Sequence, residues 1–289
     1  MLRIDAPAKI NLALHVTGRR ADGYHLIESL VVFARLGDLV SVQAADRDSF
    51  ELRGPEAAAL SNEASSSNLV VRARDGLREA ARQSGVDLQP VKIVLDKRLP
   101  VASGIGGGSA DAAATLKALC QLWDFHPGPD ILSKLALELG ADVPMCLDGQ
   151  ALVARGIGEK LSPVHLGFGL DLVIVNPRVG VSTPAVFSAL EKRDNAPLPA
   201  PDGVDDKERF LEWLGTARND LQPPAERMVP AIANCLSALE LAGARFYRMS
   251  GSGASCFGLF DSAEAARQAA TRLQQDHPGW FVAATETVR

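Results

Sequence analysis

From Lys9 to His15 apolar and polar positions alternate, with Ile10, Leu12 and Leu14 on one face and Lys9, Asn11, Ala13 and His15 on the other. That period predicts a strand buried on one side. Val40 and Val42, alternating with Ser41 and Gln43, predict another, and Asp22-Gly23 between them signals a turn. Over residues 67–84 the period becomes helical, with Leu69, Ala73, Leu77 and Ala81 on a single stripe. Val91 to Leu95 is a short apolar strand, separated by Pro100 from a glycine-rich stretch. From Ser109 to about Trp123, alanine and leucine occupy most sides, which predicts a central, buried helix. A further helix runs from about Asp130 to Leu139 and stops at Gly140, with Asp142 next, pinned by Pro144.

The second half reads as strands at 150–155 and 170–175, loosened between by Gly156, Gly158, Gly167 and Gly169. Residues 194–206, rich in proline and acids, predict an exposed or mobile loop. Helices follow near 206–216 and 225–242, then a strand at 245–250, a Gly251-Ser252-Gly253 turn, a strand at 255–260, a helix at 262–275 and a last strand near 280–286. The irregular alternation favours an α+β fold over a doubly wound sheet. Two domains are expected, 1–155 and 156–289, with the boundary in the glycine-loosened stretch and no internal repeat.

Composition narrows the function. The chain has 289 residues, 47% hydrophobic and 22% charged, with a net charge of −5, which fits a soluble globular protein and argues against non-specific nucleic-acid binding. Cys120, Cys146, Cys235 and Cys256 lie far apart without a C-x-x-C pair, so buried free thiols are expected rather than zinc ligands or disulfides. Arg3, Asp5 and Lys9 stand where a signal peptide needs apolar residues, and no apolar run reaches membrane-spanning length. A cytoplasmic protein with no membrane partner is expected.

Residues 100–115 concentrate the candidate chemistry. Gly104, Gly106, Gly107 and Gly108 lead straight into the alanine-rich helix at Ser109. Glycines allow close backbone approach, and a helix start offers unpaired N–H groups and a positive dipole end, so the segment suits an anion such as phosphate. It lacks the Walker and Rossmann fingerprints, and read alone it is also compatible with a helix entry that binds nothing. Other residues are equally open by themselves. Lys9 reads as a strand-edge lysine, Asp142 as a capping or turn residue and Lys97-Arg98 as a solvated edge. Phe187 reads as the core face of a short helix after Pro184, and Gly251-Ser252-Gly253 as a tight turn.

Three segments in one order change this picture. Pro7-Ala8-Lys9-Ile10-Asn11-Leu12, Gly104-Ile105-Gly106-Gly107-Gly108-Ser109-Ala110-Asp111 and Met249-Ser250-Gly251-Ser252-Gly253-Ala254 resemble the three motifs of the GHMP kinase superfamily. Arg19 to His25, Asp96-Lys97-Arg98-Leu99-Pro100 and Gly140-Ala141-Asp142-Val143-Pro144 are similar to the branch that phosphorylates the 2-hydroxyl of a cytidine-diphosphate-bearing methylerythritol in non-mevalonate isoprenoid precursor biosynthesis. The resemblance implies an N-terminal domain like ribosomal protein S5, a ferredoxin-like C-terminal domain, and substrates bound between them.

It also implies roles. Lys9 and Asp142 are the catalytic pair, Asp142 accepting the hydroxyl proton and Lys9 compensating charge on the attacking oxygen and transferring phosphoryl. A carboxylate is a weak base toward an alcohol, so positioning must dominate the rate. Gly104, Gly106, Gly107, Gly108 and Ser109 cradle the ATP phosphates, with Asn68 and Lys97 near adenosine. Tyr24, His25 and Phe187 form a cytosine pocket, Asn11 and Thr183 line the erythritol and diphosphate region, and Gly251, Ser252 and Gly253 lie near the substrate and transferring phosphates. Mg2+ is implied as ATP's counter-ion, with no protein ligand assigned. The expected partner is a small molecule with a cytidine diphosphate group, handled by a monomer or weak homodimer. A kinase for mevalonate or homoserine would have no use for a base-stacking pocket, and a nucleotide sensor would not need both Lys9 and Asp142.

Overall fold

The computed structural model describes residues 1–60 and 64–288. The chain forms two compact units, each built from separated segments: Met1–Ala8, Gly37–Val101 and Gly106–Gly149 in the first, Lys9–Leu36, Ala102–Ile105 and Gln150–Arg289 in the second. The chain thus re-enters the second unit at Gln150, close to the expected boundary, while Lys9–Leu36 and Ala102–Ile105 belong with the C-terminal part rather than with residues 1–155. Two long strands, β1 (Leu2–Arg19) and β2 (His25–Ala44), contribute residues to both units.

In the first unit, Leu39–Ala44 of β2 pairs antiparallel with β4 (Val91–Asp96), and β3 (Ser49–Arg53) lies parallel to β4. Four helices follow: α1 (Leu69–Gln83), α2 (Gly107–Trp123), α3 (Pro129–Leu139) and α4 (Val143–Asp148). The α1 stripe buries Val70, Val71, Ala73, Leu77 and Ala81, as its period requires. Ala110, Ala112, Ala113, Ala114, Leu116, Ala118 and Leu119 of α2 are all buried, because alanine lets neighbours close in on several sides. Its one buried hydroxyl, Thr115 Oγ1, donates to the Asp111 carbonyl at 2.7 Å. The sequence pattern did not indicate β3 or α4, both too short for a period to show.

In the second unit, Ile27–Val31 of β2 pairs antiparallel with β5 (Leu152–Gly156), and β5 with β6 (Lys160–Pro163). A separate four-stranded antiparallel sheet has the order β10 (Phe281–Glu286), β7 (Asp171–Asn176), β9 (Cys256–Phe260), β8 (Phe246–Met249). Counted from β7, that is the 4-1-3-2 order of a ferredoxin-like sheet. The unit also holds α5 (Thr183–Ser188), α6 (Lys207–Thr216), α7 (Gln222–Met228), α8 (Ala231–Leu241) and α9 (Ala263–Asp276), with α8 and α9 packed on the sheet. The single helix expected at 225–242 is two, α7 and α8, meeting at Pro230, whose ring cannot continue α7.

One expectation is corrected by burial and another is refined. β1 is buried on both faces, not one: Asn11 and His15 are 4% and 0% exposed, and their hydrogen bonds inside the unit make that possible. Residues 194–206 are exposed along most of their length but not free. Asn195 N–H donates to the Val16 carbonyl at 3.1 Å, Leu198 N–H donates to Glu28 Oε2 at 2.9 Å, and the Leu198 side chain is buried. The four cysteines are free and buried.

Candidate active site

The first unit presents the start of α2. Gly106 caps the helix at φ 67°, a left-handed conformation that glycine adopts without strain, and Gly107 opens the helix. Beneath this first turn lies a buried ion cluster. Lys97 Nζ donates to Asp38 Oδ2 at 2.5 Å and to Asp111 Oδ2 at 2.8 Å, and Asp38 Oδ1 accepts the N–H groups of Arg98 and Leu99. A Cβ on Gly107 would stand 3.0 Å from Lys97 Nζ, so glycine here lets the ammonium approach the helix start. Gly108, by contrast, is exposed, and the nearest atom to a Cβ there is Leu69 Cδ1 at 3.5 Å.

Burial lowers the Lys97 ammonium's proton affinity, but attraction to Asp111 and Asp38 outweighs it and the net shift is upward. Burial pushes the Asp111 carboxyl up to about 8, with Asp38 adding to the effect and Lys97 opposing it. Asp111 Oδ1 is buried without a hydrogen-bond partner. Lys97 is 2% exposed, so it is no solvated edge. Two of its three N–H donors go to the aspartates beneath the helix start.

Asn68 is the N-cap of α1, its Oδ1 accepting the Val70 N–H at 2.9 Å, and this places α1's first turn against Gly108. Asp142 stands at the head of α4, but its carboxylate makes no capping bond to that helix. Two residues before it, a Cβ on Gly140 would lie 3.9 Å from Ser109 Oγ, so the starts of α2 and α4 are neighbours.

The second unit gathers the remaining candidates around β1. Lys9 N–H donates to the Ile105 carbonyl at 2.9 Å, and Lys9 is 5% exposed. Asn11 N–H donates to Ser250 Oγ at 3.0 Å and Asn11 Nδ2 to Ser29 Oγ at 2.7 Å, leaving Oδ1 buried without a partner. The loop before α2 and the Gly251–Gly253 turn pack backbone to backbone. A Cβ on Gly104 would lie 2.6 Å from the Gly253 carbonyl oxygen and 2.8 Å from that of Ser250, while one on Gly251 would lie 2.9 Å from the Gly104 oxygen. Thr183 Oγ1 and Ser252 Oγ share a hydrogen bond of 2.7 Å.

His25 stacks on Phe187 with ring centroids 4.8 Å apart and planes 24° from parallel. Burial, then the nearby charges of Arg19 and Arg193, lower the His25 pKa, and its Nε2 is buried without a partner. Phe187 packs against the buried core of the unit while its face meets the imidazole. Tyr24, in the preceding turn, is 62% exposed. Sequence reasoning missed Asp38 and Ser29, isolated polar residues whose sequence neighbours carry no pattern for them, and gave Ser250 no role of its own although it lies in the third motif.

Residues 68–150 match the GHMP kinases N terminal domain and residues 204–279 the GHMP kinases C terminal domain. The chain belongs to the GHMP kinase family. It is 53% identical over 284 residues to a 4-diphosphocytidyl-2-C-methyl-D-erythritol kinase from Chelativorans sp. (strain BNC1), covering 98% of this chain and 94% of the relative. A kinase described in the same words from Agrobacterium fabrum is 51% identical, with 98% and 95% covered. A solved 4-(cytidine 5'-diphospho)-2C-methyl-D-erythritol kinase superposes with a TM-score of 0.81 at 35% identity, covering 100% of both chains. A homoserine kinase from Cytophaga hutchinsonii shares the fold at a TM-score of 0.70 and 21% identity, with 99% and 94% covered.

Proposed function

We propose that this kinase transfers the γ-phosphoryl group of ATP to the 2-hydroxyl of 4-diphosphocytidyl-2-C-methyl-D-erythritol, giving the 2-phosphate and ADP. The observation that carries the choice of substrate is the His25–Phe187 pair with its unpartnered buried Nε2. The fold is shared with a homoserine kinase, so fold does not choose the alcohol, whereas an aromatic pair ending in an unused polar atom suits a flat base with hydrogen-bonding edges. Tyr24 is placed by the chain beside His25 and is free to cover the base. Asn11 Oδ1, also buried without a partner, is offered to a hydroxyl of the methylerythritol, and Thr183 with Ser252 to the diphosphate.

At the start of α2, the N–H groups and Ser109 Oγ hold the ATP phosphates, with Gly108 leaving the approach open. Asn68 and α1's first turn border that approach. Asp142 orients the substrate hydroxyl and takes its proton late, as bonding to phosphorus develops, while Lys9 balances the charge that gathers on the oxygens. Mg2+ accompanies such a nucleotide and keeps much of its water. No protein ligand is assigned to it and no step runs through it. The enzyme acts in the cytoplasm, within non-mevalonate isoprenoid precursor biosynthesis, as a monomer or weak homodimer.

The test compares ATP consumption with the cytidylyl methylerythritol substrate, mevalonate and homoserine. Only the first is expected to be turned over, and equal turnover of either other alcohol refutes the pocket assignment. Asp142→Asn is expected to bind both substrates and to lose about 100-fold or more in kcat, in the range that general-base groups contribute. Near-native turnover by that variant removes Asp142 from its role.

A further inference from the structure

We propose that Asn219 is a positioning residue that locks the Gly251–Ser252 peptide in the orientation the phosphoryl-transfer site requires, a role that rests on the kinase reading. Asn219 is 6% exposed, and both its amide hydrogens and its oxygen make hydrogen bonds. Nδ2 donates to the Met249 carbonyl at 2.8 Å and to the Gly251 carbonyl at 2.9 Å, and Oδ1 accepts the Leu221 N–H at 3.0 Å. Two donors and one acceptor on so short a stem define asparagine. Aspartate has no donor when ionised, serine has one, and glutamine carries its amide a methylene further out.

The residue is itself held to the strand that carries Lys9 and Asn11. Leu14 N–H donates to the Arg218 carbonyl and Asp220 N–H to the Leu14 carbonyl, each at 2.8 Å. Val16 N–H donates to Asp220 Oδ2 at 2.8 Å, and Arg218 N–H donates to His15 Nε2 at 3.0 Å. Asn219 therefore transmits the placement of β1 to the glycine turn.

A lock has a purpose here because glycines flank Ser252. Gly251 sits at φ 57°, and a peptide next to such a residue flips at small steric cost. Across a trans peptide the C=O and the following N–H point in opposite directions, so fixing the Gly251 carbonyl on Asn219 aims the Ser252 N–H away from it. The same serine holds Thr183 through its hydroxyl, and Gly251 is backed by Asn11 Oδ1, 3.2 Å from where its Cβ would be. Orientation of this one peptide thus reaches both residues offered to the substrate.

The experiment measures kcat, both KM values and the backbone amide signal of Ser252 in wild type, Asn219→Asp and the milder Asn219→Ser, each with its fraction folded determined. Asn219→Asp is expected to lose about tenfold or more in kcat per folded molecule at pH 8, the size of one lost buried hydrogen bond, with KM for ATP within about twofold. Its kcat relative to wild type is expected to recover on acidification, as the introduced carboxyl gains a proton and donates to one carbonyl. Asn219→Ser, which does not titrate, is expected to show no such recovery. A merely structural role would move the melting temperature and leave the pH profile unchanged. Folded variants with kcat within about twofold of wild type and an unmoved Ser252 amide overturn the proposal. The amide is read without substrate: if it moves in the variants while wild type fails to phosphorylate the cytidylyl alcohol, the lock stands and the kinase reading falls.

Discussion

Asp111→Asn tests the ion cluster beneath α2. Two carboxylates and one ammonium in a buried volume carry a net negative charge directly under the start of α2, unless one proton is retained. Burial raises the Asp111 carboxyl to about 8, whereas in the unfolded chain an aspartate loses its proton near pH ~4. Between those values the folded protein binds one proton more than the unfolded one. The stabilisation is therefore complete below about pH 4 and is lost as pH rises through about 8. The slope is about 1.4 kcal/mol per pH unit, which sets a ceiling of ~4 kcal/mol between about pH 5 and pH 8. Asparagine keeps an oxygen for Lys97 but cannot titrate, and any loss of packing it causes is independent of pH. Urea unfolding of both proteins across that range gives the difference in stability, in which titrating groups outside the cluster cancel. The difference is expected to move in favour of the variant as pH rises. A difference that stays flat across the range refutes a retained proton on Asp111.

Gly104→Ala and Gly108→Ala separate two reasons for glycine in one loop. At Gly104, where φ is 76°, a Cβ would press on the Gly253 and Ser250 carbonyls, so a loss of about 2 kcal/mol or more in urea stability and a fall in kcat are expected. At Gly108 the space is open, so stability is expected to hold or rise by about 0.5–1 kcal/mol while KM for ATP increases, because the methyl group stands on the face proposed for phosphate. Unchanged KM for ATP in a folded Gly108→Ala variant removes phosphate from that face. Phe187→Ala is expected to raise KM for the cytidylyl substrate by about tenfold or more, the worth of one stacked base, with KM for ATP unchanged. An equal rise in both KM values shows instead that the substitution loosens the unit as a whole.

The sequence pattern indicated α1, α2 and the ferredoxin-like strands to within about two residues, α1 from its single buried stripe and α2 from alanine and leucine on most sides. It misjudged β1, where Asn11 and His15 mimic a solvent face. Their burial depends on Ser29 and Arg218, which no local pattern associates with them. Residues 194–206 are an exposed loop, as their composition indicates, but composition does not report the anchoring by Val16 and Glu28. The glycine loop was legible as a feature, but its glycines serve different ends. Gly104 admits a neighbouring backbone, Gly107 an ammonium, and Gly108 nothing in the protein. Lys97 was legible as part of a motif and illegible in direction, because Asp38 lies 59 positions away in sequence.

The orphaned buried atoms sort by what completes them. Leaving a buried polar atom unpaired costs about 1–3 kcal/mol, and three such atoms, on Asp111, Asn11 and His25, belong to the candidate site. Asp111 Oδ1 lies within an ion cluster, and the proton that burial retains on that carboxyl removes much of its need for a second donor. Asn11 Oδ1 and His25 Nε2 have no such remedy. Asn11 is held by two other hydrogen bonds, and His25 is held by its ring stack with its imidazole kept neutral, so neither side chain can turn to find water without losing those contacts. Both are therefore fixed with one valence unused, on the unit that also carries Thr183, Ser252 and Lys9. A ligand with a hydroxyl for one and a base edge for the other recovers that cost on binding, which homoserine, having no base, does only in part.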